Sequence, residues 1–117
     1  MEPALIGVDL GTSSAKGVLV SSSGRVLAKA SWSYSVQMPR PGWVEHDAEK
    51  DWWSGFVQVV NELITSSGVD SRAISAIGCS TIGPCVLPVD ERVIPLRNGI
   101  LYGVDCRASE EIEDLRS

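Results

Sequence analysis

Near the start of the chain, two short apolar runs flank a six-residue polar stretch, and this arrangement leaves few folds open. Ala4 to Asp9 (ALIGVD) closes on an acid, and Lys16 to Val20 (KGVLV) opens on a base. Each run has the length of a strand. Leu10 to Ala15 is too short and polar for a helix but suits a turn, so the two runs predict a β-hairpin. Ser21-Ser22-Ser23-Gly24 supplies a second turn. The stretch from Arg25 to Ser35 then alternates loosely, with Val26, Ala28, Ala30 and Trp32 on one face, and predicts a third antiparallel strand.

Pro39-Arg40-Pro41-Gly42 is a loop by composition. Asp47 is a suitable N-cap, and Glu49 and Asp51 put negative charge where the first helical turn carries positive potential. Trp52, Phe56, Val59, Val60, Leu63 and Ile64 recur every three or four residues, which predicts a helix laid on a sheet and ended by Ser66-Ser67-Gly68. Ile74 to Cys79 reads as a buried strand. Cys85 to Val89 and Val93 to Leu101 read as two more, paired around Asp90-Glu91-Arg92. The expected order is β-β-β-α-β and then a hairpin. Ala108 to Arg116 resembles the opening turns of a helix without a C-cap, so the chain reads as the front of a longer polypeptide.

With 117 residues the chain is large enough for one domain and one core, without a second large lobe. A hydrophobic content of 44% and a charged content of 21% are ordinary for a globular domain, which excludes a disordered or fibrous chain. A net charge of -5 opposes a sequence-independent grip on nucleic acid or anionic membrane, because both need clustered Lys and Arg. No apolar run approaches the roughly 20 residues that span a bilayer, and Met1-Glu2-Pro3 lacks a basic leader. Cys79, Cys85 and Cys106 are odd in number and lie in or beside apolar runs. They predict reduced thiols filling a core, in a cytoplasmic protein. His46 is the only histidine and reads as a surface loop residue, so zinc is not expected. Trp43, Trp52 and Trp53 read as packing rather than a sugar-stacking platform, and Glu45 and Asp47 as residues leading into the helix.

The chemistry sits in the first turn. Gly11 removes a side chain where a ligand approaches, and Thr12, Ser13 and Ser14 put hydroxyl and amide donors around one concavity. Such a turn binds phosphate oxygens without a helix terminus. Lys16 adds a cation, and Asp9 is placed to hold magnesium directly or through water. The spacing is neither a P-loop nor a dinucleotide fingerprint. Read alone, Gly-Thr-Ser-Ser is more often a plain polar hairpin turn, and it is the acid closing the first run and the base opening the second that make the set more restrictive.

With those residues in view, the chain resembles the FGGY carbohydrate kinases of the actin, hexokinase and Hsp70 superfamily, in particular the front part of a xylulokinase- or gluconokinase-like member. IGVDLGTSSAKGVLV is similar to the family's first phosphate motif, and PGWVEHDAEKDWW to its tryptophan-rich, acidic lead-in to the first helix. AISAIGCSTIGPCVLPVD and LRNGILYGVDCRA are similar to its later strand and sugar-side segments. The four matches occur in order over nearly the whole chain. The resemblance implies an α/β, ribonuclease H-like mixed sheet with flanking helices, with residues 1–117 forming the N-terminal part of the kinase's N-terminal domain. It implies ATP and Mg2+ as cofactors, transfer of the γ-phosphoryl to a sugar hydroxyl, and a general base further along the family's chain. Asp9, Gly11, Thr12, Ser13, Ser14 and Lys16 would meet the metal and phosphates.

On the sugar side the resemblance points to Gly83, Pro84, Tyr102, Asp105 and Arg107. Gly83 and Pro84 stand where better-known members carry polar side chains, so familiar substrate assignments do not transfer. Tyr102 replaces a frequent tryptophan, and Gly103-Val104 makes this segment one residue longer than the common pattern. Asp105 and Arg107 are equally readable as a helix N-cap with a surface ion pair. The implied partners are a small sugar and the remainder of the kinase polypeptide, with self-association left open and the piece alone expected to be inactive. Two rivals stand beside this reading: an actin- or Hsp70-like ATPase, and a non-catalytic interaction module.

Overall fold

The computed structural model describes residues 1–117, and its contacts divide the chain into two compact units. The first comprises Met1–Ser35 and Glu49–Thr81, and the second Val36–Ala48 and Ile82–Ser117.

In the first unit, β1 (Ala4–Leu10), β2 (Ser14–Ser21) and β3 (Val26–Ser33) form the expected antiparallel succession. Helical backbone begins at Ala48, immediately after Asp47. It first winds as a wide π turn over Ala48–Trp53 and becomes regular in α1 (Ser54–Ser67). The chain then returns as β5 (Ile74–Thr81), parallel to β1, giving the sheet order β3-β2-β1-β5. Two antiparallel hairpins followed by a parallel fourth strand, with a helix across one face, constitute the ribonuclease H-like mixed sheet.

Alternation along β1 and β2 decides what that helix covers. Ala4, Ile6 and Val8 of β1 and Ala15 and Leu19 of β2 are buried against Val59 and Leu63 of α1. Trp53 is itself helical (φ -67°, ψ -48°), so α1 continues the turn that began at Ala48, and packing holds it on the sheet. Burial of Val59 and Leu63 contributes roughly 2 kcal/mol each to that packing. Gly68 ends the helix in the left-handed region (φ 70°), its N–H donating to the Ile64 carbonyl at 3.2 Å.

Gly17 sets how closely α1 approaches. A Cβ there would lie 2.4 Å from Val59 Cγ1 and 2.9 Å from Leu63 Cδ1, so the helix rests almost on the β2 backbone.

Four expectations about this unit are corrected. β5 is an edge strand and is exposed along most of its length rather than buried. Cys79 on it is exposed, so it fills no core. A register shift between Leu19 and Val20 brings Val20 opposite Val26, which places Val26 on the sheet face away from α1 instead of with Ala28 and Ala30. Trp53 is 60% exposed, stacked on Phe56 with ring centroids 5.6 Å apart.

The second unit has little regular structure. β4 (Glu45–His46) pairs with β6 (Gly99–Ile100), and α2 (Ser109–Arg116) closes the chain with no buried residue. The two long strands expected over 85–101 reduce to β6 and the isolated bridges Val86 to Ile100 and Val89 to Pro95. Pro88 and Pro95 interrupt both runs, and proline donates no ladder hydrogen bond. His46 is fully buried, not a surface residue, while Cys106 is exposed and Cys85 half-buried.

Gly17→Ala should lower the unfolding free energy by about 1–3 kcal/mol, the usual cost of forcing a methyl group into close packing. Urea denaturation followed by tryptophan fluorescence measures this, and an unchanged midpoint would show that α1 does not sit on β2.

Candidate functional site

The turn that carries the candidate phosphate chemistry joins β1 to β2 at the rim of the sheet. Gly11 N–H donates to Ser14 O at 2.9 Å across it, and a Cβ on Gly11 would meet that same oxygen at 3.3 Å. Thr12 and Ser13 are exposed, whereas Gly11 and Ser14 are half-buried. Asp9 and Lys16 are direct cross-strand partners behind the turn, and both are exposed. The row continues outward to Ser31 on β3 and Ser80 on β5. Cross-strand partners share a face, so these four side chains stand together on the side away from α1. Beside them the paired Gly7 and Gly78 leave the sheet surface low, and an open groove of about 900 Å³ runs over it, with Val18 and Lys29 also in its lining.

Sequence reasoning did not single out Tyr34. Its hydroxyl donates to Gly11 O at 2.6 Å, and its backbone N–H donates to Ser13 O at 3.0 Å. Burial first, then the negative charges of Asp51 and Asp9, push the phenol up to about 12, so it remains a neutral donor at working pH. The available sequence signal was weak: a tyrosine at the end of the third strand, two strands' length from the turn it serves.

The sugar-side residues belong to the second unit. The Gly83-Pro84 peptide is cis, Gly83 and Pro84 are exposed, and Tyr102 is 66% exposed. Asp105 and Arg107 are drawn into a dense network. Asp105 accepts from Val44 N–H at 2.7 Å and from the Arg107 backbone N–H, Nε and Nη2, the last at 2.6 Å. Arg107 Nη2 also donates to Glu45 Oε2 at 2.7 Å, as does Arg97 Nη2 at 2.7 Å, while Asn98 donates to Glu45 Oε1 at 3.2 Å. The Arg107 guanidinium lies 4.0 Å from the centroid of Trp43, and Arg40 lies 4.8 Å from it. Glu45, expected to lead into the helix, is therefore the buried acceptor of two arginines, with only 4% of its surface exposed.

The physical causes of the carboxyl shifts are on view. Burial by itself would raise Glu45, but the hydrogen bonds from Arg107 and Asn98 and the charges of both arginines hold it below its ordinary 4.5. For Asp105 the Arg107 hydrogen bond dominates, burial opposes it, and the amides of Arg107 and Val44 assist, so the group is held well below its ordinary 3.8.

Comparison with known proteins agrees with this architecture. Residues 4–117 match the family model described as the FGGY family of carbohydrate kinases, N-terminal domain, and the chain belongs to that family. It is 32% identical over 114 residues to glycerol kinase of Chromobacterium violaceum, covering 97% of this chain and 22% of that protein. The xylulose kinase structure of Rhodospirillum rubrum superposes with a TM-score of 0.86 at 32% identity, over 97% of this chain and 23% of that one. The structure of Plasmodium falciparum glycerol kinase with ADP shares the fold at a TM-score of 0.83 and 20% identity, over 97% and 23% of the two chains. The chain thus spans less than a quarter of the length of these relatives. No helix is long and apolar enough to cross a membrane.

Glu45→Gln should reduce stability by about 2–4 kcal/mol, because it leaves two arginines facing a neutral amide in a buried position. Folded pKa values below the ordinary ones mean that the carboxylates stabilise the fold at neutral pH and that this contribution is lost as pH falls through their folded values. The wild-type chain should therefore lose stability below about pH 4.5. Urea midpoints measured across pH 2 to 7 should show that the variant loses part of that slope.

Proposed function

We propose that this chain is the phosphate-gripping and sugar-facing N-terminal part of an ATP-dependent carbohydrate kinase. The observation that carries this is the turn from Gly11 to Ser14, exposed at Thr12 and Ser13, with Asp9 and Lys16 paired across the strands behind it. The turn amides and the hydroxyls of Thr12, Ser13 and Ser14 meet the oxygens of the transferred phosphoryl, and Lys16 offsets its charge. Phosphoryl transfer asks little covalent work of a protein, so the contribution of these residues is orientation and charge neutralisation.

A magnesium ion fits this donor set. No three His, Cys, Asp or Glu side chains converge into an all-protein cage, which suits an ion that keeps water and takes one carboxylate plus phosphate oxygens. Asp9 is that carboxylate. Asp9 would hold the ion, which when bound would supply charge neutralisation for the transferred phosphoryl.

On the sugar side, Gly83 and Pro84 offer only main-chain carbonyls and the Gly83 N–H, and Tyr102 offers an exposed phenol. Asp105 is joined to Arg107, Arg107 also to Glu45, and the Asp105 N–H donates to Leu101 O, which holds the turn around Tyr102. The substrate is a sugar or polyol hydroxyl. The base that receives its proton, the adenosine pocket and the facing lobe belong to the remainder of the polypeptide, so the 117 residues alone do not turn over. Three free thiols and no disulfide suit a reducing, cytoplasmic setting.

In the complete kinase, Asp9→Ala should lower kcat about 100-fold or more. The side chain is exposed at the end of β1, so the folding midpoint should stay nearly unchanged. A coupled assay of sugar-dependent ADP formation tests this. Unchanged turnover would remove Asp9 from the mechanism, and sugar-independent hydrolysis would favour an ATPase.

A further inference from the structure

Two of the turn's carbonyls, those of Gly11 and Ser13, are occupied by one residue. Tyr34 takes the first with its hydroxyl and the second with its backbone N–H. Each carbonyl shares a planar trans peptide with the next residue's amide, and in such a unit the N–H points opposite to the C=O. Holding Gly11 O towards the phenol therefore aims Thr12 N–H away from it. Holding Ser13 O towards the end of β3 likewise aims Ser14 N–H away from β3. One side chain and its own amide thus orient two of the donors that the phosphate reading uses.

The ring is itself fixed. It packs against the core cluster, and a Cβ added to Gly55 of α1 would come within 3.6 Å of Tyr34 Cε2 and 3.2 Å of Ala15 Cβ. Absence of a side chain at Gly55 thus leaves room for Tyr34 and for the start of β2 against the helix. A hydroxyl on a fixed ring is a rigid strut, unlike one on a flexible stem.

We infer that Tyr34 is a positioning residue for the phosphate turn, setting the direction of the Thr12 and Ser14 amides without touching the ligand. The inference rests on the reading of that turn as a phosphate site. Its ligand is a polyphosphate tail with magnesium. The phenol's proton is part of the device, because a phenolate could not donate to Gly11 O and would add negative charge beside the phosphates. Its elevated pKa keeps that proton in place.

The test compares the 15N-labelled 117-residue chain with its Tyr34→Phe variant, each titrated with inorganic tripolyphosphate in the presence of Mg2+. Phenylalanine preserves the ring and its packing and removes only the strut. The expected result is tripolyphosphate-dependent movement of the Thr12, Ser13 and Ser14 amide signals in wild type and about tenfold weaker binding in the variant. In the unliganded variant, chemical-shift changes should be confined to the turn. Equal affinity in the two proteins overturns the role of Tyr34 and leaves the phosphate reading standing. Weakened binding with shifts spread through α1 and the sheet also overturns it, since that pattern denotes general loosening. If wild type shows no response at the turn amides, the phosphate reading falls and the inference falls with it.

Discussion

The register between β1 and β2 is the constraint on which both the core and the candidate site depend. Pairing Ile6 with Leu19 and Leu10 with Ala15 places Ala4, Ile6 and Val8 of β1 and Ala15 and Leu19 of β2 under α1. The same pairing places Asp9 opposite Lys16 on the other face. A slip of one residue would reverse every side chain of one strand, burying charge and exposing the core together. Core formation therefore enforces the arrangement of the chemical groups. Gly17 is part of this constraint, because α1 can clamp the register only where β2 lets it approach.

The hairpins and α1 could be read from sequence because their signals are local. Alternation over Ala4–Val20 and the three-and-four spacing from Trp52 to Ile64 need no distant partner to be meaningful. Asp47 marked the start of helical backbone, although nothing there announced that the first turn would be wide. The exposure of β5 was illegible for a different reason: an apolar run reveals that a strand wants cover, not whether these residues supply it. Cys79 and Ile77 illustrate this, being apolar in composition and exposed in place. Tyr34 was missed because its partner Gly11 lies 23 positions away and hydrogen-bonds through its main chain, which leaves no mark in side-chain pattern.

Distance along the chain likewise concealed the role of Glu45, whose partners Arg97 and Arg107 lie 52 and 62 positions away. A buried carboxylate is costly unless its oxygens are occupied, and here both are, by three donors. Arg107 is the junction of the network, linking Glu45 and Asp105 while covering the face of Trp43. Its Nη1 is buried without a hydrogen-bond acceptor. The aromatic face 4.0 Å beneath the guanidinium compensates in part, since the ring's negative quadrupole attracts the cation. Replacement by lysine would forfeit the fork that serves two carboxylates at once. In a unit with only two short strands, this network performs the ordering that a sheet performs elsewhere.

The two units present different kinds of atoms to the proposed ligands. The proposed phosphate turn combines main-chain amides, whose direction is set by turn geometry, with the side chains of Asp9 and Lys16 paired behind it. Glycerol kinase of Chromobacterium violaceum and xylulose kinase of Rhodospirillum rubrum bear names of different substrates while sharing sequence with this chain. Fold and phosphate grip alone therefore do not determine which hydroxyl is phosphorylated. Gly83 and Pro84, the positions that the proposal puts on the sugar side, have no side chain that can hydrogen-bond. If a substrate hydroxyl meets them, only main-chain groups and contour can discriminate it, because a hydroxyl left without a partner loses binding energy. The Glu45, Asp105 and Arg107 network ties Val44, Arg97 and Asn98 to the 105–107 segment. A site that recognises its substrate through backbone and contour is only as selective as its backbone is fixed.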